Sequence, residues 1–90
     1  MIDYNKIPES TLETLKAYIQ TGRPMGSFCE AVVENNLREA CTRADEQNRQ
    51  ALFEIVAWLY NYAPGGSWGY PGAIKSWTAH LKAQQAERAL

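Results

Sequence analysis

Two short stretches hold the residues of this chain most able to do chemistry. The first is Arg43-Ala44-Asp45-Glu46-Gln47-Asn48-Arg49. An Arg at the end of one helix beside the start of the next makes a cationic, donor-rich corner, and a helix start favours anions. Arg43 and Arg49 suit a phosphate, Arg43 by a two-pronged grip, and Asn48 suits a base edge. The other reading is structural: Asp45 caps its helix while Arg43 and Arg49 pair with Asp45, Glu46 or Glu39. The second stretch is residues 63–72, which hold four Gly, two Pro, Trp68 and Tyr70. Two rings on a Gly-rich backbone give flat stacking surfaces beside unshielded N–H groups, suited to a nucleobase or a phosphate. Alternatively, Trp68 and Tyr70 fold back to plug the core and the glycines merely turn the chain. Asn61 either satisfies loose carbonyls at a helix end or faces the loop and joins Trp68 and Tyr70. Gly26-Ser27-Phe28 is a helix start able to receive an anion from the other side.

Catalysis needs groups that this pattern lacks. The single His, His80, stands in helical sequence with no Ser, Cys and Asp order of a triad around it. Glu9/Glu13 and Glu30/Glu34 have the spacing of solvated helix faces. No Gly-rich loop leads from a strand into Lys-Ser or Lys-Thr, so there is no phosphate loop. With one His and two Cys, a zinc site of the usual Cys/His kind cannot be assembled within the chain. The expectation is a binding protein rather than an enzyme, with no catalytic residue, no metal and no cofactor. Cys29 and Cys41 read as reduced, partly buried thiols of a cytosolic protein.

The elements that position these residues follow from length and periodicity. Ninety residues make a single domain over 1–90, small enough to gain stability from self-association. Nine basic residues stand against ten acidic ones, which argues against generic nucleic-acid binding. No apolar run is long enough to span a membrane, and the first residues lack the pattern of a signal peptide. Pro8 and Glu9 open a helix whose Leu12, Leu15 and Ile19 form one stripe, and Gly22 and Pro24 end it. Ser27 with Glu30 has the capping-box pattern for a second helix that buries Phe28, Val32 and Val33. Asn35-Asn36 interrupts it, and a short third helix carries Leu37, Ala40 and Cys41. Asp45 caps the longest apolar helix, with Leu52, Ile55, Val56 and Leu59 on one face and Phe53, Trp58, Tyr60 and Tyr62 on others. Such a helix is either central to the fold or part of an oligomer interface. It stops before Pro64. A last helix carries Ile74, Trp77 and Leu81 and frays through Gln84, Gln85 and Arg88. The expected fold is all-α: a compact bundle of four to five helices with one irregular Gly/Pro/aromatic loop.

Several of these residues together resemble a family of small phage and prophage proteins. The similarity runs from Ile7-Pro8 through Tyr18, Gly22, Gly26-Ser27-Phe28, Ala31-Val32-Val33, Asn35 and Leu37. It continues as Arg43-Ala44-Asp45, Asn48-Arg49, Leu52, Leu59-Tyr60-Asn61, Ala63-Pro64 and Trp68-Gly69, covering roughly residues 7–77. That family carries a small residue or Cys where this chain has Ser67, and often Ser-Pro where it has Tyr70-Pro71. Phage proteins of this size include counter-defence factors, among them oligomeric sponges that sequester cyclic nucleotide signals of bacterial immunity. The resemblance therefore implies a cytoplasmic homo-oligomer in a bacterial host that binds a nucleotide-like ligand through Arg43, Asn48, Arg49, Asn61, Trp68 and Tyr70. A protein–protein inhibitor or adaptor acting on a host protein, or a structural assembly component, are the rival expectations, since Trp and Tyr are also common interface anchors.

Overall fold

The computed structural model describes residues 2–88, and every regular element among them is helical. After a single 3-10 turn at Tyr4–Lys6, helix α1 runs Glu9–Thr21. Its stripe is inward as the spacing predicts: Leu15 is fully buried, with Leu12 and Ile19 packed beside it. Gly22 ends it at φ 75°, donating its N–H to the Tyr18 carbonyl. A side chain there would also press on Thr78, whose Cγ2 would lie 3.2 Å from an added Cβ.

Helix α2, Ser27–Val33, buries Phe28, Cys29, Ala31, Val32 and Val33. Its start differs from the expected capping box. Gly26 occupies the cap position in extended conformation, Ser27 is already helical, and no side chain caps the end. The two asparagines that follow divide the work of reversing the chain. Asn35 adopts φ 60°, and Asn36 accepts the Glu39 N–H at 3.2 Å to cap α3, Leu37–Arg43. Of α3's apolar residues only Ala40 is buried; Leu37 and Cys41 face out. Both cysteines are free thiols, and only Cys29 is in the core.

Asp45 caps the next helix as expected, accepting the Asn48 N–H at 2.8 Å. That helix does not run unbroken to Pro64. A turn at Ala51 divides it into α4, Glu46–Gln50, and α5, Leu52–Tyr62. The Ala51 N–H is shared between the Gln47 and Asn48 carbonyls, and the small Ala51 side chain is tucked into the core at the bend. Taking α4 and α5 as one broken helix gives the expected five. Helix α6 spans Ala73–Arg88. No helix among the described residues is long and apolar enough to cross a membrane.

The segment between α5 and α6 is stitched down rather than free. It contains a second 3-10 turn, Gly65–Ser67. The buried Tyr18 hydroxyl donates to the Ser67 carbonyl at 2.8 Å, and the Gly69 N–H donates to the Val33 carbonyl at 2.7 Å. Glu34, the residue closing α2, then caps α6 from a distance. Its Oε1 accepts the Gly72 N–H at 2.7 Å and its Oε2 the Ile74 N–H at 2.8 Å. The indole of Trp77 ties α6 to α1 by donating to the Ile19 carbonyl at 3.0 Å.

Two charge-assisted bonds to otherwise orphaned amides make Glu34 the most consequential half-buried carboxylate. Glu34→Ala is expected to lower unfolding stability by about 2 kcal/mol in urea titrations. Glu34→Gln, which keeps one acceptor, should lose about half as much. An Ala variant as stable as the native chain would show that α6 needs no cap.

Candidate functional site

Helix ends from three parts of the chain meet around an open hollow of about 300 Å³. It is lined by Ser10, Thr11 and Thr14 from α1, Gly26 to Cys29 at the start of α2, and Arg43, Asp45 and Asn48 at the α3–α4 junction. A volume of this size is at the lower end of small-ligand sites. The two candidates Arg43 and Asn48, five positions apart in sequence, therefore share one wall.

Their surroundings define what each can offer. Thr11 donates its hydroxyl to Asn48 Oδ1 at 2.7 Å, a bond that joins α1 to α4 and fixes the amide. With Oδ1 engaged, the Nδ2 group is the one left to donate. Arg43 uses Nε to meet Glu39 at 3.1 Å, one turn back on its own helix. Its terminal Nη groups make no hydrogen bond among the described residues. Asp45 brings a negative charge to the same hollow, one oxygen of it holding the α4 cap. Arg43 and Asp45 thus nearly cancel, and the hollow's donors outnumber its net charge.

The remaining candidates lie elsewhere. Arg49 faces solvent and pairs with Glu46 at 3.3 Å. Asn61 does not turn to the loop. Its amide donates to the Tyr4 hydroxyl at 2.8 Å, beside an edge-to-face contact between Tyr4 and Tyr62 at 5.6 Å. Trp68 is half-buried against the core in an apolar cleft with Leu37, Ala40, Leu52 and Val56, and Asn35 and Asn36 at its rim. Tyr70 donates its hydroxyl to the Gly66 carbonyl at 2.8 Å, bracing the loop from within. A shallow strip carrying Glu30, Glu34 and Glu39 borders both Arg43 and Asn36, so acidic side chains lie between the cleft and the hollow. His80 stacks on Trp77 at 5.0 Å, on α6.

Sequence reasoning did not find Ser10, Thr11 and Thr14 as lining residues. Their signal was weak: hydroxyls at i, i+1 and i+4 on a helix otherwise read for its apolar stripe. A larger groove lies elsewhere again, about 850 Å³ between Asn5–Ser10 and the Gln47–Ala51 side of α4. Lys6 against Glu9 and Glu13 leaves it with one net negative charge, unsuited to an anion, and no aromatic ring lines it. Among the described residues no three His, Cys, Asp or Glu come together as a metal cluster would. Compared with known proteins, the chain matches no family model, no curated protein and no solved structure.

Two acids beside these surfaces are shifted. Burial pushes the Cys29 thiol up from 9.0 to about 11. Burial first, then the charges of Glu34 and Tyr70, pushes the Tyr18 phenol up from 10.0 to about 12. Both folded-state values are raised, so the stability tied to the neutral forms is complete below pH 9. It is lost as pH rises, across pH 9–11 for Cys29 and pH 10–12 for Tyr18. Alkaline titration followed by circular dichroism should show that loss, and Tyr18→Phe should remove its upper part. At neutral pH a thiol reagent should label Cys41 promptly and Cys29 only on unfolding. Equal labelling of both in the native chain would place Cys29 outside the core.

Proposed function

We propose that this chain is a small phage-type binding protein that sequesters a nucleotide-like ligand. Its phosphodiester group lies in the hollow between α1, the start of α2 and the α3–α4 junction. The observation that carries this reading is the convergence of Arg43 and Asn48 on one wall of a hollow rich in hydroxyls. The Arg43 Nη groups and the Asn48 Nδ2 group are donors, and the hydroxyls of Ser10 and Ser27 add weaker ones, whereas the Thr14 hydroxyl already donates to the Ser10 carbonyl at 2.8 Å.

The charge balance selects among phosphates. With Arg43 offset by Asp45 and Glu39, the hollow tolerates one negative charge better than two. A phosphodiester carries one, whereas a terminal phosphate carries nearly two near neutral pH. Cyclic dinucleotides and trinucleotides therefore fit better than nucleoside monophosphates. The ligand is held and not transformed, because no hydroxyl on the wall is paired with a base; His80, the one imidazole, stacks on Trp77. Binding in this hollow does not involve Arg49, Asn61, Trp68 or Tyr70.

The test is isothermal titration with cyclic di- and trinucleotides and with nucleoside monophosphates, paired with thermal shift. The cyclic ligands should raise the melting temperature by mass action, and monophosphates should do so less. Arg43→Ala should weaken binding by about 10- to 100-fold, as expected for a lost hydrogen bond to a charged group. Unchanged affinity in a folded Arg43→Ala variant would remove the hollow as the site. Indifference to every nucleotide, with a host protein captured instead, would favour the inhibitor reading.

A further inference from the structure

From a second hollow that adjoins the first, we infer that the ligand carries two phosphodiester groups, one held at Arg43 and the other at Arg23. The inference rests on the nucleotide-binding reading of the first hollow and adds Arg23 to the site. The second hollow, about 350 Å³, follows α1 from Ser10 to Ala17, with Glu13, Arg23 and Met25 on its walls. Ser10, Thr14 and Gly26 line both hollows.

The two make one trough in which a single ligand can span both arginines. From Ser10 to Ala17 a helix rises about 10 Å, more than one phosphate group needs. Hollows of about 300 and 350 Å³ are each at the lower end of small-molecule sites. Joined, they fall inside the roughly 300–1,000 Å³ that such sites occupy. Gly26 brings no side chain to the shared rim. A Cβ added there would meet no heavy atom within 4 Å beyond its chain neighbours, so nothing in the protein fills that space.

The charge pattern repeats from one hollow to the other. Arg23 is exposed and enters neither ion pair found among the described residues, which leaves its guanidinium to a ligand. Glu13 sets one negative charge in its hollow, as Asp45 does in the hollow of Arg43. Each hollow therefore suits a single negative charge, and each phosphodiester carries one. Two such groups on one ring, as in a cyclic dinucleotide, match two such subsites. The subsites are not equal: Asn48 and Ser27 line only the first. A ligand with one phosphodiester settles there and gains nothing from Arg23. A ligand with two presents its second group to Arg23 at high effective concentration.

Isothermal titration with cyclic di-AMP, cyclic di-GMP and cyclic GMP-AMP, set against cyclic AMP and cyclic GMP, tests this. The proteins are the native chain, Arg23→Ala, Arg43→Ala and Gly26→Leu. A dinucleotide should bind the native chain about 100-fold more tightly than either mononucleotide. Arg23→Ala should weaken the dinucleotide about 10- to 100-fold and leave the mononucleotide unchanged, whereas Arg43→Ala should weaken both. Gly26→Leu should obstruct the dinucleotide alone. All three positions are exposed, so the helical signal should stay native and separate lost binding from lost folding. An Arg23→Ala variant that binds the dinucleotide as the native chain does, while Arg43→Ala does not, overturns the second subsite and leaves the first standing. A native chain that holds mononucleotides as tightly as dinucleotides does the same. Indifference of the native chain to every one of these ligands overturns the reading of the first hollow, and the second subsite with it.

Discussion

The buried hydroxyl of Tyr18 is the joint on which the rest of the structure turns. A phenol taken from water needs a partner, and here it is the Ser67 carbonyl, 49 residues further along. That one bond draws the Gly-rich segment onto α1, where Gly69 reaches the Val33 carbonyl and Glu34 reaches the start of α6. The loop that is most irregular in the sequence is thereby among the best-anchored parts of the chain. Its glycines at 69 and 72 take positive φ to make the approach, and Trp68 is left covering an apolar cleft.

Much of the architecture was legible because it depends on local signals. Gly22 as a helix stop, Asp45 as a cap and the inward run of Leu15, Ile55 and Leu59 each follow from a few neighbouring residues. What was not legible depends on pairs distant in sequence. Ser27 with Glu30 has the form of a capping box, yet Gly26 takes the cap, since its backbone accommodates the turn without a side chain to place. The break at Ala51 has no Pro or Gly to announce it; only the fully buried methyl at that point explains it. Glu34 reads as half of a solvated i, i+4 pair with Glu30, and nothing within a turn of it reveals that it holds another helix.

The candidate site divides along the same line. Arg43 and Asn48 stand close in sequence across a helix junction, so their meeting was foreseeable. Asn61 was expected at either a helix end or the loop, and Tyr4, from the opposite end of the chain, decided between them. Arg49 and Tyr70 found partners within a turn, Glu46 and the Gly66 carbonyl, and local geometry was enough for that. Thr11 was invisible as a functional residue because its role is to orient another side chain.

The Glu34 cap has a bearing on how the chain acquires its structure. Helix α6 begins on amides whose acceptor lies 38 and 40 positions earlier, so its first turn has no cap until α2 is formed and in place. Helix nucleation is the costly step, and here it is deferred until a long loop has closed. Helix α6 is therefore the last of the described helices to become stable and the first to be released when the chain is strained. A chain with only α1 through α5 in place carries everything except the part that locks it, and commits to its fold only when α6 docks on Glu34.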